Sequence, residues 1–81
     1  MINITVYKMP KCDACERTKM WLDENDLGYN EVDITEEEEA MELVKSHGYN
    51  QAPVVSINDF EDCWSGFNQE KLNSLLQRDG E

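Results

Sequence analysis

The stretch MPKCDAC, residues 9–15, places two cysteines on either side of two residues, between two segments of different periodicity. Before it, apolar and polar residues alternate from Ile2 to Tyr7, which is the pattern of a strand with one buried face. After it, residues 13–25 lack proline and glycine and are rich in good helix formers. The motif therefore connects a strand to a helix, and this order decides the fold.

Two chemistries use the Cys-x-x-Cys spacing, since it can close a small disulfide loop or supply two ligands of a tetrahedral zinc site. At a helix N-terminus, free N–H groups and the positive end of the helix dipole favour a thiolate. We therefore expect Cys12 to be the attacking thiolate and Cys15, one turn inside the helix, to be the shielded resolving thiol. Lys8 and Lys11 would lower the pKa of Cys12, and Asp13 would raise it.

The composition bounds the function. The chain has 81 residues and a net charge of -11, from 18 acidic and seven basic side chains. We expect one domain, 1–81, that acts through its surface. So few cations argue against a nucleic-acid partner. The acidic charge is explained by solubility and helix-end complementarity, with a basic partner surface as the alternative.

The cellular compartment is indicated by the apolar pattern and the cysteines. No segment has the length of a membrane span or the pattern of a signal peptide. Three cysteines, two of them in one motif, fit a reducing compartment better than a secreted disulfide framework. We expect a cytoplasmic monomer that does not bind a membrane.

The remaining chain alternates between strands and helices. A helix that ends near Gly28 and a second strand over 29–34 complete a β-α-β unit with parallel strands. Thr35 and Glu38 have the spacing of a capping box for a second helix that ends at Gly48. A strand over 51–57, a turn at 58–59, a return strand over 60–64 and a helix capped by Asn68 follow.

Three helical stripes are expected to face the sheet, because their members recur at helical spacing. They are Cys15, Thr18 and Leu22; Ala40, Leu43, Val44 and His47; and Leu72, Leu75 and Leu76. We interpret His47 as a helix-terminus cation or a buried edge residue, without catalysis. Cys63 is expected to be a small buried hydrophobe, with a regulatory or intermolecular thiol as the alternative.

Three motifs carry a resemblance to a known family. They are Cys12-Asp13-Ala14-Cys15 followed by Thr18-Lys19, Gln51-Ala52-Pro53-Val54-Val55, and Trp64-Ser65-Gly66-Phe67. With the order strand-helix-strand-helix-strand-strand-helix, the chain resembles the thioredoxin superfamily in its minimal, glutaredoxin-sized form, and most specifically the NrdH redoxins. Ordinary glutaredoxins typically have Thr-Val-Pro before the third strand and a Gly-Gly-x-x-Asp turn that holds the glutathione carboxylate. This chain has neither element.

The resemblance implies an α/β, thioredoxin-like fold: a four-stranded mixed sheet, ordered 2-1-3-4, flanked by three helices. It implies a cis Pro53 packed against the dithiol. It also implies an electron carrier with a redox-active Cys12–Cys15 disulfide and no bound cofactor or metal. NADPH would act indirectly, through thioredoxin reductase, and class Ib ribonucleotide reductase would be the acceptor. The implied partner-binding residues are Lys8, Lys11, Ala52, Pro53, Trp64, Ser65, Gly66 and Phe67.

The chain departs from the family pattern at two places near these residues. Asn68-Gln69 replaces the family's usual Arg-Pro after the phenylalanine, and Asn50 replaces a basic residue that often precedes the Gln-x-Pro segment. Both changes concern the expected reductase contacts and allow an altered or phage-encoded partner.

Alternatives remain for the aromatic pair and for the function. Trp64 is either a docking residue or a core residue, and Phe67 is expected to pack or to make a hydrophobic staple contact before the Asn68 cap. At least one ring is expected at the surface because a turn follows Trp64. The chain could instead be a glutathione-dependent glutaredoxin or a non-enzymatic, zinc-binding or chaperone-like adaptor. Zinc would require Cys63 and His47 to converge on the motif, which this order of elements does not favour.

Overall fold

A computed structural model describes residues 2–78. Within these residues, four strands and three helices follow each other in the predicted order, so this prediction is confirmed. They are β1 (Ile4–Lys8), α1 (Asp13–Glu24), β2 (Asn30–Asp33), α2 (Glu38–Ser46), β3 (Val54–Ile57), β4 (Asp62–Ser65) and α3 (Gln69–Arg78). The third strand ends at Ile57 as predicted, and the other strand ends differ from the predicted ones by one to three residues. No helix in this part of the chain is long and apolar enough to cross a bilayer.

The sheet has the order β2-β1-β3-β4, which confirms the arrangement implied by the resemblance. β1 runs parallel to β2 and antiparallel to β3, and β3 is antiparallel to β4. Val54 lies opposite both Tyr7 and Ser65 in the register. The carboxyl end of β1, the start of β3 and the end of β4 therefore meet at one edge of the sheet. The Cys-x-x-Cys motif leaves β1 at this edge.

Helices cover both faces of the sheet. On one face, Leu22 of α1 and Leu72 and Leu75 of α3 pack against apolar residues of β1 and β3. On the other face, Val44 of α2 packs with Val54. β3 is buried along its whole length because it lies inside the sheet and is covered from both sides. This core holds the carboxyl end of β1 in place.

The helical stripes are confirmed in part. Cys15, Thr18 and Leu22 are all fully buried. In α2, Val44 is buried and Met41 packs against the core, whereas Leu43 is 39% exposed. His47, the C-cap residue, is exposed as well, so its predicted place in the buried stripe was wrong. In α3, Leu72 and Leu75 are buried, whereas Leu76 is 47% exposed. The predictions for Leu43 and Leu76 were wrong because adjacent positions differ by about 100° around a helix, so a narrow stripe admits only one of the two.

The predicted capping box at the start of α2 was wrong. Thr35 donates a hydrogen bond from its N–H to the Asp33 carboxylate (2.8 Å), and its hydroxyl donates to the same oxygen. These two bonds hold the pKa of Asp33 below its usual value. Glu37 is the N-cap residue, without a side-chain hydrogen bond, and the helix begins at Glu38. Asp33 therefore engages the side chain that the capping box required.

The turn between β3 and β4 is longer than predicted and includes Phe60. Asn58, Asp59 and Phe60 all have positive φ values, of 51°, 56° and 67°. The Phe60 N–H donates to the Ser56 hydroxyl (2.9 Å), so this residue closes the turn and does not begin the strand. Its ring stacks on His47 with 4.0 Å between ring centroids. The prediction of a hairpin is confirmed, with its return strand beginning two residues later.

Candidate dithiol active site

Cys12 is the N-cap residue of α1. Its backbone is extended (φ −119°, ψ 105°), and its sulfur accepts a hydrogen bond from the Cys15 N–H at 3.1 Å. The Cys12 carbonyl already accepts the first helical bond, from the Glu16 N–H (3.1 Å). A free N–H directed at the sulfur stabilises a thiolate in the reduced protein, as does the helix dipole. The predicted place of Cys12 at the helix end is confirmed.

The two sulfurs of the motif are joined in a disulfide, with 5.2 Å between the Cα atoms of Cys12 and Cys15. Cys12 is half-buried, whereas Cys15 is fully buried in the first turn of α1. An incoming thiol or disulfide therefore has direct access to Cys12 only. This asymmetry is the one that thiol–disulfide exchange through a mixed disulfide needs.

The two lysines near the motif have different surroundings. Lys11 is exposed and has a left-handed backbone (φ 56°), directly before Cys12. The Lys8 ammonium instead lies 3.7 Å from a carboxylate oxygen of Glu31 and 3.7 Å from one of Asp33. The charge of Lys8 is thus balanced by β2, because the parallel pairing places Asp33 directly beside it. The expected effect of Lys8 on the Cys12 thiolate is reduced accordingly.

Pro53 is buried, and the Ala52–Pro53 peptide bond is cis, as the resemblance implied. The Pro53 carbonyl accepts a hydrogen bond from the Gly66 N–H (2.8 Å). Because Val54 pairs with Tyr7, the Ala52–Pro53 segment lies beside the carboxyl end of β1. The dithiol loop and the turn after β4 are thereby brought to the same edge of the sheet.

The aromatic pair separates into a core residue and a surface residue. Trp64 is only 5% exposed, and its indole N–H has no hydrogen-bond partner within the described residues. Phe67 is half-buried, and the Arg17 guanidinium lies 4.4 Å from its ring centroid, in cation–π geometry. The ring at the surface is therefore Phe67. Trp64 belongs to β4, and its side chain packs in the core directly before the Ser65–Phe67 turn.

Arg17 is a residue that the sequence reasoning missed. It lies on α1, two positions after Cys15, and it covers a ring fifty positions later in the chain. No local spacing signals such a contact. Only the packing of α1 and the turn after β4 on the same face of the sheet brings the two side chains together.

A groove of about 160 Å³ lies on the other face of the sheet. Its lining, which also was not predicted, consists of Met9, Ile34, Met41, Val44, Lys45, Tyr49, Asn50 and Gln51. Met9 belongs to the loop before the dithiol, and Gln51 belongs to the segment before Pro53. The groove therefore adjoins the dithiol edge.

Tyr49 connects this groove to Cys63. The Tyr49 hydroxyl lies 3.1 Å from the Cys63 sulfur, and this hydrogen bond together with burial raises the pKa of Tyr49 to about 12. Cys63 is a free thiol and is half-buried, so it is less buried than expected.

The zinc alternative finds no support in the geometry. Residues 2–78 contain no group of three or more His, Cys, Asp and Glu side chains placed to hold a metal ion. His47 stacks on Phe60, and Cys63 contacts Tyr49. Neither side chain converges on the Cys12–Cys15 pair.

A mixed sheet in the order 2-1-3-4, with a disulfide at the N-terminus of the helix after its central first strand, defines a thiol–disulfide oxidoreductase of thioredoxin-like fold. A family model described as glutaredoxin matches residues 4–60. The glutaredoxin-like protein NrdH of Lactococcus lactis subsp. cremoris MG1363 is 38% identical over 72 residues, which cover 89% of this chain and 97% of that protein. The chain belongs to the glutaredoxin family and, within it, to the NrdH glutaredoxin-like proteins.

Solved structures agree with this assignment. The NrdH-redoxin of Escherichia coli, described as having a thioredoxin-like activity profile, superposes with a TM-score of 0.85 at 29% identity, covering 90% of this chain and 93% of that one. A glutaredoxin from Archaeoglobus fulgidus superposes with a TM-score of 0.73 at 26% identity, covering 94% and 87%. The resemblance seen in the sequence motifs is thereby confirmed.

Proposed function

We propose that this protein is a dithiol electron carrier, reduced by NADPH-dependent thioredoxin reductase and serving class Ib ribonucleotide reductase as a cytoplasmic monomer. One observation carries this proposal. The segments Gln51–Pro53 and Trp64–Phe67 lie at the end of the sheet where the dithiol leaves β1. They differ from the Thr-Val-Pro segment and the Gly-Gly-x-x-Asp turn typical of glutathione-binding glutaredoxins. The thioredoxin-like activity profile of the E. coli relative supports the same function.

The exchange proceeds in two steps at the two sulfurs. The Cys12 thiolate attacks one sulfur of the client disulfide, a Cys12–client S–S bond forms, and the second client sulfur leaves as a thiolate that takes a proton from water. The Cys15 thiol then loses its proton and attacks the Cys12 sulfur. The Cys12–Cys15 disulfide forms, and the first client sulfur leaves and is protonated. Two electrons and two protons pass to the client, and the reductase returns them.

The neighbouring groups stabilise these steps without taking part in bond making. The Cys15 N–H and the first turn of α1 stabilise the negative charge on the Cys12 sulfur. The edge formed by Ala52, Pro53 and the Ser65–Phe67 turn is proposed to hold the client segment beside that sulfur. Lys11 is proposed to contact the client directly because it is exposed next to Cys12.

A coupled assay tests the proposed function. NADPH oxidation is followed at a fixed protein concentration, with a client disulfide, in two systems: the thioredoxin reductase of L. lactis, and glutathione with glutathione reductase. We expect rapid turnover in the first system and slow turnover in the second. The Cys12→Ser variant provides the blank in both. Turnover with glutathione alone, and none with thioredoxin reductase, would refute the proposal.

The second candidate is a glutathione-dependent glutaredoxin, which is favoured by the match of the glutaredoxin family model to residues 4–60. It predicts the reverse ranking of the two reducing systems. It also predicts that Cys15→Ser keeps activity on glutathione mixed disulfides, because a monothiol mechanism needs only Cys12. The same assay therefore decides between the two candidates.

A further inference from the structure

Half of the described cationic side chains are neutralised by carboxylates. Lys8 pairs with Glu31 and Asp33. Lys19 pairs with Glu16 and Glu31, and Lys71 pairs with Asp62. The other three form no ion pair within residues 2–78; they are Lys11, Arg17 and Lys45. In a chain with 18 acidic residues and seven basic ones, cations without an acidic partner are an unexpected feature.

Lys11 and Arg17 lie next to the dithiol. Lys11 directly precedes Cys12 and is exposed. The Arg17 guanidinium lies over the Phe67 ring, and the residue before that ring, Gly66, donates its N–H to the Pro53 carbonyl. Arg17 therefore lies on the side of the dithiol edge formed by β3 and β4. Its charge faces solvent because the side chain is exposed.

Lys45 reaches the same edge from the opposite face of the sheet. It lines the groove of about 160 Å³ together with Met9 and Gln51, which flank the dithiol loop and Pro53. Most of the other lining side chains of this groove are apolar. The groove thus offers an apolar floor with one exposed cation at its rim.

Four acidic side chains at this end of the molecule lie at the outer strand β2 and the residues that follow it. Glu31, Asp33, Glu36 and Glu37 gather around Lys8 at the outer strand β2. β2 is on the far side of β1 from Pro53 and Phe67. Asp13 is the acidic residue within the motif itself, and Glu16 is engaged by Lys19. On the β3 side, Asp13 and Glu70 stand in the first turns of α1 and α3, and Lys11, Arg17 and Lys45 make no ion pair with them among the described residues.

We propose that Lys11, Arg17 and Lys45 form a client-selecting surface that recognises carboxylate side chains flanking the reactive disulfide of the client. This inference rests on the proposed function only in that the protein reduces client disulfides; it does not depend on which reductase regenerates the dithiol. Exposed ion pairs of this kind contribute modestly to affinity but determine which partner is accepted.

Synthetic peptides provide the test. Three peptides contain the same disulfide loop and differ only in the flanking residues, which are aspartate, serine or lysine. The full-length protein is reduced with dithiothreitol and desalted, so that single-turnover exchange needs no reductase. Each rate is divided by the rate of free 2-mercaptoethanol with the same peptide, which removes the effect of the flanking charge on intrinsic disulfide reactivity.

We expect the normalised rate to be highest for the aspartate peptide at 20 mM NaCl. Lys11→Gln, Arg17→Gln and Lys45→Gln should each lower this preference, by roughly two- to fivefold. Salt at 300 mM should weaken the preference, since exposed charges are screened. Arg17→Lys should keep most of the preference, because it retains the charge.

Lys71→Gln is the matched control. Lys71 pairs with Asp62, which lies opposite Ile57 at the other end of the sheet, and its ammonium lies 5.8 Å from the ring centroid of the buried Trp64. This variant changes the net charge by the same amount and should leave the preference unaltered. The proposal would be overturned by equal rates for the three peptides or by a faster reaction of the lysine peptide. It would also be overturned if Lys71→Gln had the same effect as the Lys11, Arg17 and Lys45 variants. A faster reaction of the lysine peptide is what long-range attraction by the net charge of -11 would produce.

Discussion

The two sulfurs of the dithiol differ in the access that a partner has to them. Cys12 is half-buried at the helix end, and Cys15 is fully buried one turn further. The backbone N–H of Cys15 points at the Cys12 sulfur. Cys15 therefore keeps its own thiol buried and stabilises the Cys12 thiolate through its backbone. Different roles for two chemically identical side chains follow from their places in the first turn of α1.

Substitution of each cysteine tests these roles. Cys15→Ser should accumulate a stable mixed disulfide with a client through Cys12, because no resolving thiol remains. Cys12→Ser should reduce the client disulfide no faster than the protein-free reaction. The adducts are measured by intact mass under non-reducing conditions.

Cys63→Ser is the control for these variants, since Cys63 is the remaining thiol and contacts Tyr49 rather than the dithiol. It should keep normal exchange and form no client adduct. A mixed disulfide located at Cys63, or an active Cys12→Ser protein, would contradict the assignment.

The Tyr49–Cys63 contact gives a second prediction. The hydrogen bond to the Cys63 sulfur raises the pKa of Tyr49 to about 12 from the usual 10.0. A raised pKa means that the contact stabilises the fold fully below pH 10 and that this contribution is lost as the pH rises through about 12. Cys63→Ala should therefore move the latest phenol titration, measured at 295 nm, towards lower pH, and should cost about 1 kcal/mol at pH 8.

Tyr49→Phe is the companion variant, because it removes the phenol and keeps the ring at the groove. The late titration should disappear altogether in this protein. An unchanged late phenol in either variant would show that the signal belongs to another tyrosine.

At the level of elements, α1 is joined to β2 by one lysine. The Lys19 ammonium lies 2.8 Å from the Glu16 carboxylate and 2.9 Å from that of Glu31, so it links the dithiol helix to the outer strand. The hydrogen bonds from Lys19 to Glu16 and to Glu31 raise the pKa of Lys19. The bond with Lys19 also lowers the pKa of Glu31. The hydrophobic stripe of α1 sets its distance from the sheet, and this ion pair helps to set its position along the edge.

Lys19→Gln should lower the free energy of unfolding by about 1 kcal/mol at pH 7, since the two carboxylates are partly exposed. Because the pKa of Glu31 is lowered in the folded state, its contribution is present above the usual value of 4.5 and is lost as the pH falls through the folded value. The difference between the two proteins should therefore shrink in acid. Urea unfolding at several pH values measures it.

Lys45→Gln is the control for this prediction, because it removes one lysine charge from another helix, α2, and Lys45 makes no ion pair among the described residues. Its free energy of unfolding should change by less than about 0.5 kcal/mol at any of these pH values. An equal loss in both variants would indicate a general charge effect instead of the α1–β2 link.

The whole molecule carries far more negative than positive charge. With 18 acidic and seven basic residues, mutual repulsion among carboxylates destabilises the compact state, because the cations are too few to pair with all of them. Salt should reduce this repulsion, because exposed charges farther apart than the Debye length, about 8–10 Å at moderate ionic strength, are largely screened from each other. The proposed client-selecting surface of Lys11, Arg17 and Lys45 therefore belongs to a protein whose overall charge is strongly negative.

Raising NaCl from 20 to 300 mM at pH 7 should therefore raise the Tm, by about 4 °C if screening contributes about 1 kcal/mol. Glu36→Gln, which removes one charge from the acidic run, should raise the Tm at low salt and reduce the salt dependence. Calorimetry measures both. A Tm that falls with salt would mean that attractive ion pairs outweigh the repulsion.

Local signals were sufficient for most of the architecture. Alternation in the first strand, the helix formers after Cys12, and the apolar runs of the later elements predicted the order of strands and helices. Asn68 was predicted as the cap of the last helix, and its side chain does accept the Lys71 N–H at 3.0 Å. These features depend on residues within one or two turns of each other, where propensity and periodicity act directly.

The errors occurred where a distant or competing partner decided the outcome. Thr35 has a good capping sequence, but the Asp33 carboxylate engages it first. Phe60 has high strand propensity, but the turn and the stacking with His47 place it outside β4. Trp64 follows a pattern that suits either face, and its burial was settled by the packing of α3 against the sheet.

The sequence by itself determined the Cys-x-x-Cys spacing, the place of Cys12 at a helix end and the resemblance to the family, because these depend on residue type, spacing and local helix formation. Only the tertiary structure decided the surroundings of the dithiol. The Arg17–Phe67 contact, the Pro53–Gly66 hydrogen bond and the groove with Lys45 each join segments that are far apart in the chain. Such contacts arise from how helices pack on a sheet, and no short stretch of sequence contains that information.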